Sequence, residues 1–166
     1  MGEERVKIPE SKEQSQKFLK YLLRDVRAMG RMLDEGWFEI DNIRIGAEQE
    51  LCLIDRNAKP APIAMELLEA LGDDSFTTEL AKFNLETNLE PLLFEGKCLS
   101  QMETNIQKKL ELIRETIKQF DGDVVLSGVL PTIRKSDLDI ENLTPLPRYR
   151  AICDAINKLR GEEYDL

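Results

Sequence analysis

Apolar residues recur along this chain with two different periods, and the switches between them divide it into elements. Over residues 11–35, Phe18, Leu22, Val26, Met29 and Leu33 return at helical spacing, with Leu19 and Leu23 beside them. This pattern predicts a long amphipathic helix, ended by Gly36. Residues 43–55 alternate and predict a strand, closed by the turn-prone Asp55-Arg56-Asn57 and by Pro60 and Pro62. A short helix follows over residues 63–71, stopped by Gly72, and a second strand over residues 82–93. Leu99, Met102, Ile106, Leu110, Ile113, Ile117 and Phe120 form the clearest helical stripe in the chain. Asp121-Gly122 then turns into a third apolar strand over residues 124–130. Residues 131–144 are polar and irregular, and a last helix starts near Pro147 and covers residues 151–159.

This order predicts an α+β fold: a partial, mostly antiparallel sheet with helices packed on one side. Alternating strands suit a sheet with one wet face. The length of 166 residues is enough for one domain with a real core, over residues 1–166.

The wet faces carry the chemistry. In the first strand, Ile43, Ile45, Ala47, Leu51 and Leu53 fall on one side, and Arg44, Gly46, Glu48 and Glu50 on the other. Two carboxylates thus share a face, about 7 Å apart along the strand, a spacing suited to holding one or two metal ions between them. The second strand repeats the design. Phe83, Leu85, Thr87 and Leu89 fall on one side, and Asn84, Glu86, Asn88 and Glu90 on the other. If the two strands share a sheet, Glu48, Glu50 and Glu86 converge on one polar floor. Neighbouring carboxylates repel unless a cation neutralises them. A solvated, purely structural face accounts for the same pattern, and periodicity alone leaves both readings open.

Composition narrows the chemistry. The chain has no histidine, which removes the usual general base, the Ser-His and Cys-His pairs and the commonest zinc ligand. A metal here would be held by oxygen, which selects hard cations such as magnesium or manganese. The net charge of -9 argues against nucleic acid and against an anionic membrane surface. Cys52, Cys98 and Cys153 are odd in number and far apart, as expected of reduced thiols in a cytoplasmic protein. No apolar stretch reaches membrane-spanning length, and residues 1–10 lack a signal-peptide core. Gly122 and Gly128 belong to no phosphate-binding loop.

Longer strings add a resemblance. Gly46-Ala47-Glu48-Gln49-Glu50 resembles the G-x-E-x-E strand of the glutamate–cysteine ligase family of plant-type and bacterial type-2 members. The segment from Glu79-Leu80 to Leu85-Glu86-Thr87 resembles that family's E-L-x4-L-E-T. Gly128-Val129-Leu130-Pro131 resembles its later G-x-x-P turn, and Arg148-Tyr149 the R-Y that opens the next helix. The ordered set runs from about Asn42 to Ile156. One departure is Leu130, where many bacterial members carry histidine.

The resemblance implies a glutamine-synthetase-like curved antiparallel sheet whose concave face holds ATP and magnesium. It implies ATP-dependent amide formation on glutamate through an acyl-phosphate, with cysteine as the best-known amine. Glu48, Glu50 and Glu86 would then be metal ligands, Glu79 a further ligand of the same site, and Arg148 a contact to an anionic substrate. Members of that family continue well past this length. The chain is therefore expected to be the N-terminal part of a longer ligase, inactive alone, with an open sheet edge that invites homo-oligomers. The final run 161–166 has no settled stop, in keeping with that. A non-catalytic nucleotide- or amino-acid-binding relative, and a plain interaction module, are the alternatives.

Overall fold

The computed structural model describes residue 9 and residues 11–160; the final run 161–166 and most of the polar start lie outside the described residues. The described residues divide between Ile43 and Arg44 into two compact units.

The first unit is built on α1, Lys12–Asp34. Ser11 caps it, its hydroxyl accepting the Gln14 N–H at 3.2 Å. Gly36 ends it at φ +70°. There the Trp37 N–H reaches the Met32 carbonyl at 2.9 Å and the Gly36 N–H the Leu33 carbonyl at 3.2 Å. That pair of bonds needs the left-handed conformation glycine adopts without strain. No residue of α1 is buried.

The second unit holds the sheet. Its strands are β1 (Arg44–Ile45), β2 (Glu48–Asp55), β3 (Phe76–Thr78), β4 (Asn84–Asn88), β5 (Leu92–Leu93) and β6 (Gly122–Val125). Four of them run antiparallel in the order β3-β4-β2-β6, while β1 and β5 pair separately. Helices α2 (Ala64–Leu71), α3 (Cys98–Ile117) and α4 (Pro147–Arg160) complete the unit. The α+β fold with antiparallel strands is as the sequence predicts.

The expected strands are each cut short. The first breaks at Gly46-Ala47 into β1 and β2, and the second breaks around Pro91 into β4 and β5. The two breaks face each other: the Leu89 N–H bonds the Ala47 carbonyl at 2.9 Å, and Pro91, close by, has no N–H to continue the ladder. The third strand spans four residues and ends at Val125, with Ser127 and Gly128 following in irregular chain. The irregular stretch contains two short 3-10 turns, Lys135–Leu138 and Ile140–Asn142. β3 was not anticipated: three residues are too few for a period to show.

The core lies on the odd-numbered face of the central strands. Leu51, Leu53, Leu85 and Val124 from the sheet meet Ala64 and Leu67 of α2 and Leu110, Ile113 and Ile117 of α3. Burying a Leu or Ile side chain contributes roughly 1.5–3 kcal/mol. This face therefore fixes the register, because a one-residue slip would turn every apolar side chain outward. The opposite face is thereby left polar.

Candidate functional site

The register of β2 on β4 sets Glu50 directly across from Glu86 and Glu48 across from Asn88. Residues paired across a ladder project to the same side of the sheet, so Glu48, Glu50 and Glu86 share one face. β3 adds Thr77 across from Glu86. The Thr77 hydroxyl donates to Glu86 Oε1 at 3.4 Å, and the Asn88 amide donates to the same oxygen at 2.7 Å. Two donors from two strands thus hold the half-buried Glu86 carboxylate in place.

Glu79 arrives from just beyond β3. Carboxylate oxygens of Glu50, Glu79 and Glu86 all lie within 4.8 Å of one another. Glu48 shares the face without belonging to that triple. The crowding shows in Glu79, whose carboxyl is pushed above its ordinary range. Loss of solvent is the largest cause, then its hydrogen bond to Glu86, with the charges of Glu86 and Glu50 adding to it. The Leu80 N–H, donating to Glu79 Oε2 at 3.3 Å, works in the other direction. Three acidic oxygens at this spacing, with no histidine or thiol in the group, suit a hard divalent cation bound through oxygen.

The backbone at Glu79 is pinned from a distant part of the chain. The Thr144 hydroxyl donates to the Glu79 carbonyl, and the Thr144 N–H to the Leu80 carbonyl at 2.9 Å. Ala81 bridges Leu143, and the Lys82 N–H reaches the Asn142 carbonyl at 2.8 Å. Sequence reasoning missed this clamp, because the residues after the second 3-10 turn show no strand period.

Arg148 occupies the first turn of α4, half-buried. Its guanidinium lies 4.6 Å from the Tyr149 ring centre and donates to the Tyr149 hydroxyl at 2.6 Å. That hydroxyl in turn donates to the Thr78 carbonyl at 3.3 Å. The structure thus links Arg148 to the residue before Glu79 through Tyr149.

A family model described as glutamate-cysteine ligase family 2 matches residues 44–161, more than half of the chain and all six strands. The chain belongs to this family. Two curated relatives agree with it. A protein of Frankia alni named as a glutamate–cysteine ligase (2-3) is 26% identical over 114 residues, covering 68% of this chain and 12% of that protein. A protein of Frankia casuarinae named as a glutamate–cysteine ligase (2-2) is 26% identical over 113 residues, with the same two shares. The chain thus spans about an eighth of the length of these relatives. No solved structure matches it. Among the described residues, no helix is long and apolar enough to cross a membrane.

Proposed function

We propose that this chain carries part of the catalytic site of an ATP-dependent carboxylate–amine ligase that joins glutamate, through its side-chain carboxylate, to an amine such as cysteine. The observation that supports this reading is the meeting of Glu50, Glu79 and Glu86 within 4.8 Å on the polar face of the sheet, in a chain of glutamate-cysteine ligase family 2.

In this reading Glu50, Glu79 and Glu86 hold magnesium or manganese, with Glu48 supplying a further oxygen from the same face. When bound, the cation neutralises phosphate oxygens during phosphoryl transfer. The terminal phosphoryl group of ATP passes to the substrate carboxylate, releasing ADP. The amine nitrogen then attacks the acyl carbon, the carbon–oxygen bond to phosphate breaks, and the amine proton leaves to solvent. Asn88 and Thr77 keep Glu86 aimed at the site. A bound cation would favour the ionised form of Glu79, against the loss of solvent and the neighbouring charges that raise its pKa.

The test is magnesium-dependent ADP release by the full-length protein. It should need both glutamate and an amine, and Glu86→Gln should abolish it while the protein stays folded. The carboxamide keeps the shape and one acceptor oxygen but loses the charge that holds a hard cation. Wild-type turnover in Glu86→Gln would remove the metal assignment. ATP binding without any glutamate-dependent turnover in the wild type would leave a non-catalytic relative instead.

A further inference from the structure

Glu79 differs from the other two members of the carboxylate triple in how it is held. Glu50 and Glu86 lie within paired strands, opposite each other in the register. Glu79 lies one residue past the end of β3 at Thr78, in the turn towards β4, where the ladder no longer fixes the backbone. A functional group on a loop is placed less precisely than one on a strand. A strap from the same unit, residues 141–149, meets this turn residue by residue. The Tyr149 hydroxyl donates to the Thr78 carbonyl at 3.3 Å. Thr144 takes the next two positions, its hydroxyl donating to the Glu79 carbonyl and its N–H to the Leu80 carbonyl at 2.9 Å. Ala81 bridges Leu143. The Lys82 N–H donates to the Asn142 carbonyl at 2.8 Å, and the Lys82 ammonium to the Glu141 carbonyl at 2.7 Å.

Two hydroxyls stand out in this strap. Thr144 is 1% exposed and Tyr149 is 6% exposed, and a hydroxyl buried that far is costly unless it is bonded. Each gives its proton to the backbone at or next to Glu79. Arg148 sets the direction of the second. A guanidinium only donates, so the Tyr149 oxygen accepts from it at 2.6 Å and turns its own proton to Thr78. The strap is also tied to itself. The Leu146 N–H bonds the Thr144 carbonyl at 2.7 Å, and the Tyr149 N–H bonds the Leu146 carbonyl at 3.1 Å, so the two hydroxyls are held in one frame. We propose that Thr144 and Tyr149 are positioning residues of the cation site. They act through the backbone of Thr78 and Glu79, and hold Glu79 where its carboxylate meets Glu50 and Glu86. The assignment rests on the metal reading of that triple. It makes a segment far along the chain from the three glutamates a determinant of cation affinity.

Titration of the full-length protein with manganese, followed by calorimetry, tests this, with Glu86→Gln marking the binding that belongs to the triple. Thr144→Val keeps the shape and removes the hydroxyl, and should weaken that binding by about tenfold, as expected when a group that orients a metal ligand is lost. Thr144→Ser restores the donor and should restore the affinity. Tyr149→Phe keeps the ring and removes the proton given to Thr78, and should weaken manganese by a smaller factor. Melting curves of the metal-free variants separate stability from affinity, and if Thr144→Val fails to fold, Tyr149→Phe carries the same test. In turnover, the KM for magnesium should rise in Thr144→Val and Tyr149→Phe, with kcat at saturating magnesium close to wild type. A strap that only supports the fold would lower the melting temperature and leave the manganese affinity and this KM unchanged. That result in both variants, beside lost binding in Glu86→Gln, would overturn the positioning role and leave the metal reading standing. Equal weakening in Thr144→Ser and Thr144→Val would overturn the role of the hydroxyl. Manganese bound as tightly by Glu86→Gln as by wild type would overturn the metal reading and the positioning role together.

Discussion

Asp73 shows how single side chains tie the helices of this fold to its sheet. One carboxylate oxygen accepts the Ser75 N–H at 2.9 Å and the Ser75 hydroxyl at 2.7 Å, and the other accepts the Lys109 ammonium of α3 at 2.7 Å. The Lys109 bond, then the Ser75 bonds, hold its pKa at about 2, against an ordinary 3.8. A depressed carboxylate stabilises the fold above its unfolded pKa, and that contribution is lost as pH falls through the folded one. Asp73→Asn should therefore cost about 1 kcal/mol near neutral pH, after discounting for solvent screening of a partly exposed pair. The gap from wild type in urea unfolding should close as pH falls from about 4 to about 2. A gap that stays constant over that range would show that the ion pair does not carry the effect. Thr87 poses the opposite case. It is fully buried, and its hydroxyl has no hydrogen-bond partner among the described residues. An unsatisfied buried hydroxyl costs roughly 1–3 kcal/mol. Thr87→Val keeps the shape, so chemical denaturation should show equal or greater stability, by up to about 1 kcal/mol. A clear loss would mean that the hydroxyl is satisfied by water.

At the scale of elements, the parity of β2 and β4 was fully legible. Leu51, Leu53 and Leu85 had to face inward, and that forces Glu48, Glu50 and Glu86 onto the other side. The lengths of the strands were not legible. Alternation carries on through Ala47 and Leu89, but the hydrogen-bonded ladder stops around Pro91, and a hydropathy pattern contains no information about donors. β3 is legible only through its partner, since Phe76 and Thr77 find their places against Thr87 and Glu86. Glu79 followed from a resemblance; its contact with Glu50 and Glu86 depends on the Thr144 clamp, whose pairing is non-local. β6 depends on a close approach that sequence does not show either. A Cβ on Gly122 would meet Ile117 Cγ1 at 3.0 Å and the Ile54 carbonyl oxygen at 3.2 Å. The side chain could yield, but the carbonyl belongs to the β2 ladder. Gly122→Ala should therefore destabilise the protein by about 1–3 kcal/mol, the range for overpacking a tight core. A thermal unfolding midpoint equal to wild type would show that β6 moves freely against α3.

At the scale of the molecule, the polar face of the sheet holds more negative charge than its immediate neighbours offset. Glu50, Glu79 and Glu86 crowd one another, and Glu79 answers by binding its proton more tightly. On the proposed reading, a hard divalent cation would relieve that repulsion and bind only the folded arrangement, and so should stabilise the fold in proportion to ln(1 + [metal]/Kd). Turnover asks for more than a cation. Phosphoryl transfer depends on positioning ATP, metal and acceptor together, and the 114 matched residues cover 12% of the Frankia alni relative. The two properties should therefore separate in the isolated chain. Purified residues 1–166 should melt at a higher temperature with magnesium or manganese than without. Glu86→Gln should lose most of that shift, and its metal-free form should be no less stable than wild type, because one repelling charge has gone. The same preparation should release no ADP in response to glutamate and an amine. Steady ADP release would show that the catalytic groups are already complete within these residues. A melting temperature indifferent to both cations, in wild type and variant alike, would return the three glutamates to an ordinary solvated sheet face.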